Sequence, residues 1–330
     1  MVKNQRQLLI KEFWDRSKEL SVKNKGYRNF LEKFFYFLLN EDIGKRDITT
    51  DSLIKKNEKI SAVVVAKEDG IFAGAEEFAF LNKDLKINQL KGDGDEIKNG
   101  DKLINVLGNA TKILEKERAS LNLLQRMSGI ATLTNNLVKK LNDKSRIAAT
   151  RKTLWGLIDK KAVSIGGGLT HRLNLSDGIL IKDNHLKIMG GDIEKALGLA
   201  KSKSRYFVTI APKPSLRGFL TLVRKPSWRG IEIEVENKKQ AIAAAKVIKK
   251  LNNSNNLFAI MPDKIPPKEI KLIVEELKNQ DLYDCVLLEA SGDINPDNLI
   301  KYKDCSVDII SMGYITNSAK VLNMSMEIIK

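Results

Sequence analysis

Cysteine, histidine and proline are scarce in this chain of 330 residues, at two, two and seven. Cys285 and Cys305 stand twenty positions apart with no second pair and no histidine beside them, so neither a disulfide framework nor a zinc site is supported and reduced thiols are expected. No apolar run approaches the roughly 18 residues of a membrane helix, and the charged first thirty residues lack the apolar stretch of a secretion signal. A soluble, cytoplasmic protein is the expectation. A dinucleotide fingerprint is also missing, because Gly92 and Gly94 have no strand-to-helix context and read as hairpin turns.

Arginine is scarce too. The 57 basic residues divide into 44 lysines and 13 arginines, against 41 acids, leaving a net charge of +16. Lysine spread along the chain reads as a solvated surface rather than a nucleic-acid footprint. Five of the thirteen arginines, however, fall between residues 118 and 172: Arg118, Arg126, Arg146, Arg151 and Arg172. A guanidinium grips carboxylate or phosphate bidentately, so this concentration points to a small anionic ligand. The stretch 149–185 holds both histidines, His171 and His185, and three adjacent glycines, Gly166 to Gly168, which suit a backbone passing close to a ligand or needing positive φ.

With 42% apolar residues the chain can bury a large core, and its length suggests two unequal domains. Residues 1–40 carry apolar positions at helical spacing, ending in FLEKFFYFLLN, and predict one or two helices whose aromatic stripe belongs to a core. The segment Asp47 to Asp51 is rich in turn and capping residues. Short apolar runs between Ile60 and Gly108, punctuated by Asp-Gly and Asn-Gly, predict hairpins in an antiparallel sheet. A helical pattern follows from Thr111 to Asn142, with an expected break near Ser128 and Gly129.

Beyond residue 145 short β-type runs alternate with helical ones: RIAAT (146–150), GILIK (178–182), RYFVTI (205–210), GIEIEV (230–235), LFAIM (257–261), CVLLEA (285–290) and VDIISM (307–312). This is a βα array, which predicts a parallel sheet or barrel. Its strands finish in turn on Arg151 and Lys152, Lys182, Glu234 and Glu236, Asp263, Glu289 and Ser291, and Gly313. Barrel enzymes place their chemistry at the carboxyl ends of such strands. Cations first and carboxylates later suggest an anion pocket beside a metal-phosphate pocket, with Glu234 and Asp263 as candidate magnesium ligands.

These residues lie in an ordered set of motifs: ERASLNLLQRMSGIATLT (117–134), TRKT (150–153), GGGLTHR (166–172), LIKDNH (180–185), IEIEVEN (231–237), LEASGDI (288–294) and DIISMGYIT (308–316). The set resembles nicotinate-nucleotide pyrophosphorylase (carboxylating), the quinolinate phosphoribosyltransferase family, from about residue 40 to 320. That resemblance implies an α/β sandwich domain over residues 1–122, completed by about 316–330, and an open, incomplete α/β barrel over 123–315. It implies conversion of quinolinate and 5-phosphoribosyl 1-diphosphate to nicotinate mononucleotide, diphosphate and carbon dioxide, with magnesium. It assigns Arg118, Arg151, His171 and Arg172 to the quinolinate carboxylates, and Lys152 and Lys182 to the phosphoribosyl donor. Glu234 and Asp263 would face the ribose and magnesium; Ser291, Gly292 and Gly313 would face the 5-phosphate. Lys152, Glu234 and Asp263 are the expected catalytic residues. Arg118 would serve the neighbouring subunit's site, making a homodimer the working unit.

Four positions depart from the family pattern: Ala149 stands where aspartate is common, Trp155 where proline is, and Pro262 and Lys264 where leucine and asparagine are. Residues 204–229 form an apparent insertion holding three of the seven prolines. These departures keep open a related pyrophosphorylase acting on another anionic acceptor. A basic nucleic-acid-binding protein is the reading from a different class, and no recognised binding motif supports it.

Overall fold

The structure is a computed structural model and describes residues 3–204, 230–251 and 257–329. Among these residues the strands are β1 (Lys59–Ala66), β2 (Gly70–Ile71), β3 (Lys86–Gln89), β4 (Glu96–Ile97), β5 (Lys102–Asn109), β6 (Arg146–Ala148), β7 (Ile179–Ile181), β8 (Gly230–Val235), β9 (Leu257–Pro262), β10 (Leu287–Ala290), β11 (Ile309–Ser311) and β12 (Met324–Ile329). The chain divides into two compact units. One comprises residues 16–140, 149–170 and 313–330; the other comprises 1–15, 141–148 and 171–312. The expected boundary at 122/123 falls inside the uninterrupted helix Ala110–Leu141.

The first unit is built on an antiparallel sheet in the order β12-β1-β5-β3, with β2 and β4 paired separately. Its core gathers Ala62, Val64 and Ala66 of β1 with Leu103, Ile104 and Val106 of β5, Phe72, Phe78, Leu121 and Leu124. Full burial of the valine, leucine, isoleucine and phenylalanine side chains among them stabilises by about 1.5–3 kcal/mol each. The sheet is antiparallel as the sequence predicts, but it is not made of hairpins: β1 pairs with β5 and β12, and β3 pairs with β5. The partners of β1 lie far away in sequence, and even β3 and β5 are separated by β4. Gly94 is in a turn with φ +92°, and its N–H donates to Phe72 O at 2.9 Å.

Helix Lys25–Ile43 begins at Asn24, whose side chain accepts from the N–H groups of Gly26 and Tyr27. It buries Tyr27, Leu31 and Phe35, an i, i+4, i+8 stripe, while Tyr36 and Phe37 of the aromatic run are exposed. Asp47 caps the short helix Ile48–Leu53 by accepting from Thr49 and Thr50, so the acidic turn there is structural. The expected break at Ser128 and Gly129 does not occur, because both residues serve close packing. Ser128 Oγ accepts from Ala73 N–H at 3.0 Å, and a Cβ on Gly129 would stand 2.0 Å from Lys320 O.

The second unit carries a parallel sheet in the order β6-β11-β10-β9-β8-β7. The first strand thus pairs with the last, as in a barrel, but no pairing joins β6 to β7 among the described residues, and the barrel is open. Helices Lys238–Leu251 and Pro267–Asn279 match their sequence patterns, burying Ala241, Ala244, Ala245 and Ile248, and Ile270, Ile273, Val274 and Leu277. RYFVTI and the rest of the 205–229 insertion lie outside the described residues. No helix among them is long and apolar enough to cross a membrane.

Glu77 is fully buried in the first unit; it accepts from the Tyr27 hydroxyl at 2.8 Å, while its second oxygen has no hydrogen-bond partner. Burial, reinforced by the charge of Asp93, pushes its pKa up to about 7. A carboxyl raised on folding holds its proton more tightly in the native state. Its contribution is therefore complete below the unfolded value near 4.5 and is lost as pH rises through about 7. Glu77→Gln is expected to flatten this decline and to be the more stable protein at pH 8, by at most about 3 kcal/mol. Urea unfolding of both proteins at pH 5 and pH 8 checks this; equal slopes would contradict it.

Candidate active site

Parallel strands bring their carboxyl ends to one edge of the sheet, and in the second unit that edge gathers the predicted residues following β7, β9 and β10 beside Glu234 of β8. The register is continuous: Asp263 N–H donates to Val235 O at 3.0 Å, Ser291 N–H to Pro262 O at 3.1 Å, and Lys264 N–H to Ser291 O at 2.9 Å. Asp263 and Ser291 form a parallel bridge. Lys182 Nζ lies 3.1 Å from Glu234 Oε2, and the Ser311 hydroxyl is 3.0 Å from that of Ser291. Burial raises the Glu234 pKa; Lys182 opposes the rise, whereas the charges of Asp263 and Asp183 add to it. Two carboxylates, Glu234 and Asp263, therefore crowd one edge, and a cation between them and an anionic ligand relieves that repulsion.

Gly292 is required where it stands. Its φ is +91°, and a Cβ there would lie 2.6 Å from Lys264 N and 2.8 Å from Asp263 Oδ1. Lys264 itself is left-handed at φ +56°, a conformation that asparagine, the usual family residue, adopts more readily. Pro262, the other departure beside Asp263, is the last residue of β9 and offers only its carbonyl.

His171, expected to grip a quinolinate carboxylate, has protein partners at both ring nitrogens. Its Nε2 lies 3.0 Å from Glu289 Oε2 and 3.3 Å from Glu232 Oε2, while Nδ1 accepts from the Arg172 N–H at 2.7 Å. Both ring nitrogens are thus engaged by the protein, at a residue held left-handed with φ +54°. Burial disfavours a charged ring, but the Glu289 and Glu232 carboxylates outweigh it and push the pKa up to about 9. Glu232 is raised by burial and by the neighbouring Glu289 charge; Glu289 is held low by His171 despite its burial. The donor atoms of these three residues lie within 4.8 Å of one another, a spacing that also suits a metal ion. Nε2 carries a proton toward the carboxylates both in the neutral ring that accepts at Nδ1 and in the charged ring, so no lone pair faces them. The cluster is a hydrogen-bonded triad. Arg172 is buried beside it, with NH1 donating to Gly178 O at 3.2 Å. His185 Nδ1 accepts from the Lys182 N–H and so caps its own helix, Asp183–Ile188.

The remaining predicted residues belong to the first unit. Arg151 and Lys152 are exposed on the loop after β6, and Arg118 is exposed on helix Ala110–Leu141. Gly313 meets Lys152, since a Cβ there would stand 3.0 Å from Lys152 Cδ. Ala149 is fully buried, donating to Leu169 O at 2.9 Å, and Trp155 packs against Phe34 with ring centroids 5.2 Å apart. The triple glycine serves packing: Cβ atoms on Gly166 and Gly168 would lie 2.5 Å from Ala131 O and 2.7 Å from Val163 Cγ1, and Gly167 has φ +89°. Sequence reasoning passed over Glu232, although an acid at alternate positions of an apolar strand signals a buried carboxylate that needs a partner.

Residues 47–128 match the family described as quinolinate phosphoribosyl transferase, N-terminal domain, and residues 130–211 and 217–327 match its C-terminal domain. The chain is 37% identical over 298 residues to a protein of Methanothermobacter thermautotrophicus named probable nicotinate-nucleotide pyrophosphorylase [carboxylating], covering 88% of this chain and 96% of that one. A Bacillus subtilis protein of the same name is 35% identical over 310 residues, covering 90% and 93%. The solved nicotinate-nucleotide pyrophosphorylase from Francisella tularensis superposes with a TM-score of 0.72 at 28% identity, covering 91% and 96%.

Gly292→Ala is expected to lower stability by about 1–3 kcal/mol, combining left-handed strain with the collision against Lys264 and Asp263. Gly94→Ala shares the positive φ but meets nothing within 4 Å, so it isolates the strain. Urea unfolding should show the larger loss for Gly292→Ala; equal losses would contradict the crowding at Asp263.

Proposed function

Since the chain belongs to the quinolinate phosphoribosyl transferase family, we propose that it transfers the phosphoribosyl group of 5-phosphoribosyl 1-diphosphate to quinolinate, yielding nicotinate mononucleotide, diphosphate and carbon dioxide in NAD biosynthesis. It acts as a pentosyltransferase. The observation that carries this reading is the edge where Lys182, Glu234, Asp263 and Ser291 converge, because a phosphorylated, metal-binding donor needs cations, carboxylates and a hydroxyl together.

The bond changes balance without a nucleophilic side chain. The quinolinate ring nitrogen gives its lone pair to ribose C1 as the C1–oxygen bond breaks, and that electron pair leaves on diphosphate. The carboxylate beside the nitrogen then departs as carbon dioxide; its bonding pair remains on the ring carbon next to the new pyridinium and takes up a proton. The protein's part is orientation and electrostatics. In this scheme Arg118, Arg151 and Arg172 grip the acceptor carboxylates, and His171 supports Arg172 through its backbone N–H. Lys152 and Lys182 face the donor, and Ser291, Gly292 and Gly313 its 5-phosphate. Lys152, Glu234 and Asp263 are the catalytic residues.

Glu234 and Asp263 would hold magnesium; both are hard oxygen donors, and the crowding that raises Glu234 is what a divalent cation relieves. When bound, the ion would offset the charge of the departing diphosphate. A homodimer in which Arg118 serves the neighbouring site accords with that side chain's exposure on its helix. A reducing, cytoplasmic setting accords with the free thiols of Cys285 and Cys305.

Pure protein given quinolinate, the donor and magnesium is expected to form nicotinate mononucleotide, and chelation should abolish the product. Failure of folded protein to form it would remove this reading, and a panel of aromatic acids would reveal a different acceptor. Arg151→Ala is expected to raise the KM for quinolinate by about 10- to 100-fold, the loss of one charged bidentate contact. Asp263→Ala is expected to reduce kcat instead; wild-type kinetics for both variants would overturn the site assignment.

A further inference from the structure

The loop carrying Arg151 and Lys152 rests on a buried ionic network that the reaction as proposed does not use. Asp159 is fully buried in helix Leu157–Ile165, and Arg126, nearly so, reaches it from helix Ala110–Leu141. Their contact is bidentate: Nε to Oδ1 at 3.0 Å and NH2 to Oδ2 at 2.9 Å. Oδ2 also accepts the backbone N–H groups of Leu154 at 2.9 Å and Trp155 at 3.0 Å. Arg126 NH2 donates a second time, to Thr316 O. The Thr316 hydroxyl in turn lies 2.8 Å from Lys152 O, nearer than the 3.1 Å to Gly313 O, and donates to the former. Three backbone groups of residues 152–155 are therefore tied to a single ion pair, two directly and one through Thr316.

We propose that Arg126, Asp159 and Thr316 are positioning residues that clamp the 150–156 loop and so fix where Arg151 and Lys152 present their charges. A buried ion pair contributes little net stability against an apolar replacement of the same shape, and its best-attested use is to specify one geometry. Here the geometry specified is that of a loop whose two functional side chains are exposed, as is Leu154 at 64%. The clamp depends on a backbone N–H at residue 155. Trp155 provides it, and proline there could not. This chain thus holds by hydrogen bond and by the Phe34 contact a turn that a proline would stiffen covalently.

The inference rests on the roles assigned above to Arg151 and Lys152, so its test needs a readout besides product formation. Changing Asp159 strands the buried Arg126 charge and can unfold the protein, which makes Thr316→Val the better probe: it keeps the shape and removes only the hydroxyl. Thr316→Ser restores it. Full-length Thr316→Val is expected to show at least tenfold faster amide hydrogen exchange at residues 151–156, with exchange in β8 to β10 unchanged. The KM for quinolinate or for the phosphoribosyl donor should rise at least fivefold, with the melting temperature within a few degrees of wild type, and Thr316→Ser should return both values. Unchanged exchange in the loop, acceleration spread evenly over the whole chain, or no rescue by Thr316→Ser would overturn the clamp. A wild-type protein that forms no product would overturn the function instead, and the exchange comparison would still decide the clamp.

Discussion

Glu232 and Glu234 stand two residues apart on β8, a strand whose six residues are all buried, and the site depends on how their charges are met. Alternation along the strand turns both toward the same side, one deeper and one at the carboxyl edge. A carboxylate in such a place needs a partner, and the two find different ones: Glu232 and Glu289 share His171, while Glu234 meets Lys182. The deeper pairing holds the histidine ring against two carboxylates. The outer pairing leaves a carboxylate beside Asp263 with a raised proton affinity.

The same division runs through the arginines. Arg126 meets a buried carboxylate, Arg172 is buried and donates to the Gly178 carbonyl, and Arg118 and Arg151 are exposed. Scarcity in the sequence singled out this group of arginines. It did not separate Arg126, whose partner is a buried carboxylate, from the exposed Arg118 and Arg151. Only burial and partner geometry make that separation.

Periodicity exposed the βα array well, since apolar runs and amphipathic helices are local consequences of burying one face; helices Lys238–Leu251 and Pro267–Asn279 fall where their patterns put them. Pairing was less legible. Turn residues between β1 and β5 suggested hairpins, but hydrogen-bond partners are chosen by the whole sheet, and β1 takes β5 and β12. Ser128 and Gly129 looked like helix breakers because their packing partners, Ala73 and Lys320, are remote in sequence. Asp159 offered no signal at all: an aspartate in a lysine-rich helical stretch looks solvated until Arg126 is seen beneath it. His171 was legible as special and illegible in role, because nothing near it in sequence announces Glu232 and Glu289.

The pairing of β12 with β1 also has a consequence in time. The ribosome makes Ala66 258 residues before Met324, their register partners in the finished sheet. At roughly 5–20 residues per second that interval is about 13–50 s. Through it, one edge of the nascent sheet presents unpaired N–H and C=O groups and the apolar residues Ala62, Val64 and Ala66 without Met324 to cover them. An open edge of this kind is a template for intermolecular pairing. Completion of the antiparallel sheet thus waits for the strand most distant from β1 in sequence, and β12 in turn becomes its edge.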